Sequence, residues 1–411
     1  MLVNYYTTHM ERLKAFKYRL YPTSTQKVLL EKHFGSVRWV YNWALNRKTE
    51  AYAIDKTSLS KFDLQRELTA LKVLPETLWL VEVNAQTLQS AVAQLDSAYT
   101  SFFRKIGKFP KFKSKKTSSR AAEFRQGSRI NLTSKKLFIT KFKEGIRCNF
   151  HREFTGEIRT VTVSKTPTGK YFASILVNKT IPDIQQRPLE FDKALGIDLG
   201  IKSLAVTSDN QVLENPKSLG KSLRKLAKAQ RRLAKKKSGS KNRDKAKLKV
   251  AKVHEKIANQ RKDNLHKLSR NLVNDNQVTT YCLEDLSVTN MLKNRRLAKA
   301  IADAGWTTFV SFLTYKAAWA GKNIIKIGRF EPSSKTCDAC GCLNHNLKLS
   351  DRTWTCSCGT THDRDFLAAR NIKNFAFHPQ NLLRQDLPDV KPVEKPSHSG
   401  RSAKQEAENF Q

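Results

Sequence analysis

The chain has no run of about 18 apolar residues, the length a membrane-spanning helix needs, so no membrane partner is expected. Its first residues, MLVNYYTTHMERLKAF, lack the apolar stretch of a secretory signal, and a cytoplasmic protein is expected. Acidic residues are scarce: 36 Asp and Glu stand against 76 Lys and Arg, a formal net charge of +40 over 411 residues. Packing such a chain carries self-repulsion unless a polyanion is at hand. Nucleic acid is the expected polyanion, because each basic contact to phosphate releases counterions. Cysteine is sparse and odd in number, seven in all, and five fall between Cys337 and Cys358. That clustering points to a metal site in a reducing compartment rather than to a disulfide scaffold. Hydrophobic residues make up 39%, enough at this length for about two to four folded domains.

Residues 12–21, RLKAFKYRLY, mix basic residues with β-formers and read as a strand that Pro22 ends. Thr23 and Gln26 have capping-box spacing, which predicts a helix from near Ser24 to about Lys48 with Leu29, Leu30, Phe34, Val37, Val40 and Tyr41 available for one face. Further helices are expected at 60–72 and 84–106, then a basic loop, GKFPKFKSKKTSSR. From about 121 to 185 the pattern turns to strands, including a hairpin with its turn at 166–169. Residues 194–208, ALGIDLGIKSLAVTS, read as two strands joined at a glycine turn. Residues 217–273 read as a basic helical hairpin broken at Ser238-Gly239-Ser240, either a solvated pair or a phosphate-binding one. The run KAQRRLAKKK has no acid to pair with, which favours phosphate contact by Arg231 and Arg232. A strand at 277–286, a helix at 304–320 and a strand at 324–330 follow.

Three acids stand out: Asp198 in GIDLG, Glu284 in YCLEDL and Asp365 in THDRDFLAARNI. Strand ends bring sequence-distant acids to one rim of a sheet, and three carboxylates there suit two Mg²⁺ ions and in-line phosphodiester cleavage. Asp285 stands beside Glu284 as a rival. Cys337-x-x-Cys340 and Cys356-x-Cys358 offer four thiolates in two close pairs, the pattern of a tetrahedral Zn²⁺ site whose halves a β-hairpin through 341–355 would bring together. Cys342 and His345 are alternative ligands. With four protein ligands such an ion is structural. Cys148 and Cys282 sit in apolar contexts and are expected to be inert core residues.

The segments KYRLYPTSTQ, VRWVYNWAL, KFPKFKSK, GIDLGIKSLAV, LEDLSVTNMLKNRRLAKAIADAGW, SSKTCDACG and WTCSCGTTHDRDFLAARNI carry a resemblance to the TnpB family, which shares ancestry with type V CRISPR effectors. The resemblance runs from about residue 12 to residue 374. It implies a transposon-encoded RNA-guided DNA endonuclease, monomeric on one guide RNA (the omega or right-end RNA) and acting on double-stranded target DNA at the prokaryotic nucleoid. In that scheme base pairing reads the target and the protein reads a short transposon-adjacent motif. It also implies an α/β multi-domain fold: a β-barrel-like wedge from 1–23 and 121–190, a helical recognition insert at 24–120, a ribonuclease-H-like (RuvC) mixed sheet from 191–330 and 361–376, a zinc ribbon at 331–360 and a disordered tail at 377–411. Asp198, Glu284 and Asp365 match the family's acid triad, which leaves Asp363 as a supporting or substitute acid, and the four cysteines match its zinc ribbon. One departure is Leu367, where the family usually has Asn. The early helices of the family carry the motif-reading surface, which makes Asn84, Gln86 and Gln89 candidates for adenine contacts or, equally, ordinary surface amides. Lys111, Lys113, Lys115 and Lys116, with Arg295 and Arg296, are expected on phosphates.

Three other readings compete: a nuclease-dead, RNA-guided repressor, for which Leu367 is the only hint; a strand-transfer transposase with the same kind of acid triad; and a zinc-stabilised RNA-binding protein without catalysis.

Overall fold

Strand β1, His9–Tyr21, stops at Pro22, and helix α1, Ser24–Asp55, starts under the expected capping box. The Thr23 hydroxyl accepts from the Gln26 amide, and the Gln26 side chain accepts from the Thr23 N–H. The computed structural model describes residues 9–378 apart from 117, 183 and 349. The chain divides into two units, one of residues up to 183 with 231–252, the other of 184–230 with the residues from 253 onward.

In the first unit α1 is followed by α2 (Lys61–Leu71), a 3-10 stretch (Pro75–Glu82) absent from the sequence reading, and α3 (Ala85–Phe103). Strands β2 (Arg120–Phe124), β3 (Arg129–Asn131), β4 (Lys136–Phe138), β5 (Ile146–Asn149), β6 (Glu157–Lys165) and β7 (Tyr171–Pro182) come next. With β1 they form one sheet in the order β2-β6-β7-β1-β5-β4-β3. β1 lies antiparallel along β7, with Leu20 opposite Tyr171 and Leu13 opposite Asn178, so an N-terminal strand becomes a central strand of a sheet otherwise built a hundred residues later. Among the described residues no pairing joins β2 to β3, so hydrogen bonding leaves the sheet open where a barrel-like wedge was expected. Phe16, Tyr18 and Leu20 alternate to one face, as a strand requires, and bury themselves with Leu30, Phe34, Val40, Leu88 and Val92 in a single cluster. The helices of 24–120 and the strands of 121–182 therefore share one core.

The second unit holds β8 (Ala194–Leu199), β9 (Ser203–Thr207) and β10 (Val212–Glu214). Two long helices follow, α4 (Ser218–Ala234) and α5 (Lys241–Asn274), which belong to this unit up to 230 and from 253, while 231–252, with the turn at Gly239 (φ +80°), are counted with the first. Then come β11 (Thr280–Glu284), α6 (Val288–Met291), α7 (Ala298–Ala304), α8 (Trp306–Trp319), β12 (Asn323–Ile327), β13 (Thr353–Thr355), β14 (Thr361–Asp363) and α9 (Arg364–Ala376). The main sheet is mixed, in the order β10-β9-β8-β11-β12: an antiparallel meander, then two parallel strands. β8 and β11 are buried on both faces, as their near-continuous apolar runs require. Leu195, Ile197, Tyr281 and Leu283 pack with Phe309 and Leu313 of α8, while Ala194 and Cys282 pack with Ile372 and Ala376 of α9. Asp303 anchors the start of α4: its carboxylate accepts from the Leu219 N–H and pairs with Arg261 at 2.7 Å, an acid at the positive end of a helix. Among the described residues no helix is long and apolar enough to cross a membrane. The tail expected to be disordered lies outside the described residues except for 377 and 378.

Candidate functional site

Strand register builds the first half of the acid rim. β8 and β11 run parallel with Ile197 opposite Leu283, so the next residues, Asp198 and Glu284, emerge side by side where the strands end. The third acid comes from α9. Gly196 lets that helix lie against β8: a Cβ there would stand 2.0 Å from the Ala369 carbonyl oxygen and 2.9 Å from the Lys373 amide nitrogen. Asp365 sits one helical turn before Ala369, about 6 Å along the helix, and Asp198 two residues beyond Gly196, about 6.6 Å along the strand. The two offsets match, so helix and strand carry their acids to one level.

Burial, and then the negative charges of Glu284 and Asp365, push Asp198 up to about 7. Burial also raises Glu284 above the usual carboxylate range, against the pull of the Ser333 hydroxyl. Such crowding of carboxylates is what a bound divalent cation relieves. Glu284 Oε1 accepts from Ser333 Oγ at 2.6 Å. Arg352 Nη1 lies 3.3 Å from both carboxylate oxygens of Asp365, and Arg364 Nε lies 3.7 Å from one of them. The rival acids are engaged elsewhere. Asp285 pairs with Arg329 at 2.6 Å. Asp363 caps α9, accepting from the Asp365 and Phe366 N–H groups, so it supports the helix and is no stand-in for Asp365. Leu367 is fully buried with Cys337, Trp354 and Cys356, so its position belongs to an apolar core here.

The sulfur atoms of Cys337, Cys340, Cys356 and Cys358 all lie within 4.8 Å of one another, with Cys337–Cys358 at 3.8 Å and Cys340–Cys356 at 3.5 Å. A Zn²⁺ ion with Zn–S bonds near 2.3 Å needs S–S edges of about 3.8 Å, so the thiolates fit it. Thr360 holds the Cys358 thiol down at about 6, through its hydroxyl first and its N–H second. The hairpin is not where the spacing put it. It runs from β13 to β14 around the second cysteine pair, with Gly359 at φ +88°, instead of through 341–355, and the first pair is closed by a bridge between Thr336 and Leu343 and by the Gly341 N–H donating to the Cys337 carbonyl. The expected alternatives Cys342 and His345 are exposed. The imidazole at the cluster is that of His362, 1% exposed, with Nε2 3.1 Å from Cys337 Sγ and Nδ1 3.4 Å from Asp338. Cys148 and Cys282 are core residues, and burial pushes both thiols up to about 12.

The expected nucleic-acid contacts divide. Asn84 is a correction: it is 5% exposed and caps α3, its Oδ1 accepting from the Gln86 N–H and its own N–H donating to His33 Nε2, so it presents no amide to a base. Gln86 exchanges hydrogen bonds with Gln126, while Gln89 is exposed on α3. Lys113 is half-buried, its ammonium 3.7 Å from the centre of the Tyr41 ring and its backbone held on both sides by Asn42, which makes it a packing residue. Lys111, Lys115 and Lys116 are exposed, as are Arg231 and Arg232 in the last turn of α4 and Arg295 and Arg296 before α7. Sequence reasoning missed Ser333, Arg352 and His362. Each stands within two to five residues of a flagged Cys or Asp, and that adjacency was the available signal.

A family model described as OrfB_IS605, a probable transposase, matches residues 174–295; a Cas12f1-like TNB domain matches 306–372. A third model, described as a helix-turn-helix domain, matches 10–57, where this chain folds as β1 and the single helix α1. A putative RNA-guided DNA endonuclease of Streptomyces pristinaespiralis is 41% identical, covering 96% of each chain. InsQ of Escherichia coli K12, also a putative RNA-guided DNA endonuclease, is 32% identical over 88% of this chain and 92% of its own. Among solved structures, Cas12f1 in a complex with single-guide RNA and target DNA shares the fold, with a TM-score of 0.53 at 13% identity over 90% of this chain and 99% of that one.

Proposed function

Because the chain belongs to the TnpB family, we propose that it is a transposon-encoded, RNA-guided DNA endonuclease that cuts beside a short adjacent motif, using Asp198, Glu284 and Asp365 on a ribonuclease-H-like (RuvC) core. One observation carries the catalytic part: Asp198 is buried and faces the charges of Glu284 and Asp365 from two other elements, and burial first, then those charges, push it up to about 7. The donor set is all oxygen, which suits Mg²⁺. Two such ions, when bound, would activate a water and stabilise the leaving oxygen of the phosphodiester. The chain's own part is positioning: β8 and β11 set two acids in register, and Gly196 seats the helix that brings the third. Cys337, Cys340, Cys356 and Cys358 would hold a structural Zn²⁺.

Guide RNA and target DNA would be held by phosphate contacts from Lys111, Lys115, Lys116, Arg231, Arg232, Arg295 and Arg296, which position without specifying. Of the three amides expected to read a base, Gln89 is the one left exposed, since Asn84 is a cap and Gln86 pairs with Gln126. The repressor reading rested on Leu367, and a residue packed under the cysteines no longer argues for it. The deciding experiment is to sequence RNA that co-purifies with the protein, then to challenge it with Mg²⁺ and plasmids carrying the matching target beside a randomised flank. Cutting confined to one flank sequence is expected. Target binding without cutting, or end-joining in the absence of RNA, would overturn the reading.

A further inference from the structure

One hydroxyl links the first cysteine turn to the acid rim. Ser333, 6% exposed, lies between β12 and Cys337 and donates to Glu284 Oε1 at 2.6 Å. The turn that carries it is fastened twice. Within it, the Thr336 N–H and hydroxyl both donate to the Pro332 carbonyl, at 3.1 and 2.9 Å. From outside, Asn371 on α9, 2% exposed, donates through Nδ2 to the carbonyls of Ser333 at 2.7 Å and Thr336 at 2.6 Å. Cys337 follows Thr336 directly, so the backbone that Asn371 clamps runs from the hydroxyl at Glu284 to the first thiolate of the cysteine cluster. Asn371 belongs to the same helix as Asp365. One short segment is therefore tied to the side chain of one rim acid and to the helix that supplies another.

We propose that Ser333 is a positioning residue for Glu284: held by Asn371 and by the cysteine turn, its hydroxyl fixes the carboxylate in the rotamer that receives a divalent cation. The proposal rests on the two-ion reading above. A free glutamate at a strand end samples several rotamers, and ordering it on binding lowers affinity. An ionised carboxylate has about four lone-pair positions, so one bond to Ser333 fixes its orientation and leaves the second oxygen for the cation. Hydrogen-bond partners behind a metal ligand typically account for about 10- to 100-fold in affinity. It follows that the zinc turn supports the acid rim through Ser333, in addition to holding its own hairpin.

The test uses the full-length, zinc-loaded protein and Mn²⁺ as the probe, with free Mn²⁺ counted by electron paramagnetic resonance. Ser333→Ala is expected to weaken Mn²⁺ binding about tenfold and to raise the half-saturating Mg²⁺ for cleavage to match. Zinc content and melting temperature should stay at the wild-type values, and Ser333→Thr, which keeps the hydroxyl, should restore binding. Unchanged Mn²⁺ affinity in Ser333→Ala, alongside its loss in Asp198→Ala, would overturn the positioning role and leave the cation site standing. Loss of zinc in Ser333→Ala would also overturn it, because the residue would then serve the cysteine turn alone. A wild-type protein that binds no Mn²⁺ would remove both the role and the site it serves.

Discussion

The four cysteines meet between residues 337 and 358, inside two tight turns, whereas the three acids arrive from β8, β11 and α9 and meet only once a sheet and a helix have packed. The cysteine cluster is written locally: spacing within each pair sets the thiolates, and a short hairpin closes the second turn. The acid rim has no local sequence that encodes it. It exists because Ile197 pairs with Leu283 and because position 196 has no side chain to hold α9 away. A locally built site should fail when a ligand is lost; one built by packing should fail also when a distant fit is spoiled.

The largest effect that sharpens this contrast is expected from Asp198→Ala. Cleavage should fall on the order of 10³-fold, about 4 kcal/mol of barrier, while RNA affinity in a filter-binding assay stays the same. Retained cutting would dissolve the acid rim as the centre of the chemistry. Next comes Cys337→Ser, which should lose zinc in a metal assay and open the segment around 333–363 to hydrogen exchange, since zinc binding supports local folding. Protection of β8 and β11 should persist; its loss would mean the two sites are not separable. Gly196→Ala touches no ligand, yet a Cβ 2.0 Å from the Ala369 carbonyl should displace α9. A cost of about 1–3 kcal/mol in denaturant unfolding is expected, with cleavage reduced and zinc content unchanged. Asp363→Ala is the mildest: loss of the α9 cap should cost about 1 kcal/mol and leave cutting measurable at saturating Mg²⁺. Abolished cutting there would give Asp363 a role in the rim beyond capping.

The acids stood out in the sequence because each closes an apolar run or opens a helix, and the cysteines, which the structure brings together, because their spacing is short. The choice of Glu284 over Asp285 came from the family match and not from the residues alone, and the structure adds that Asp285 pairs with Arg329. The hairpin at 353–363 was misplaced because strands as short as Thr353–Thr355 and Thr361–Asp363 show no usable alternation. Asn84 was misread for a different reason: an amide just before a helix satisfies its backbone, and that local bond wins over any surface role. The pairing of β1 with β7 was also invisible residue by residue, since register over such a separation follows from burying Phe16, Tyr18 and Leu20 together.

The seating of α9 on Gly196 also sets an order of events during synthesis. Asp198 and Glu284 leave the ribosome well before Asp365, and until α9 docks the strand surface at Gly196 stands uncovered. A nascent chain thus displays its basic surfaces with two of the three proposed acids in place, and the proposed site is complete only once α9 has docked.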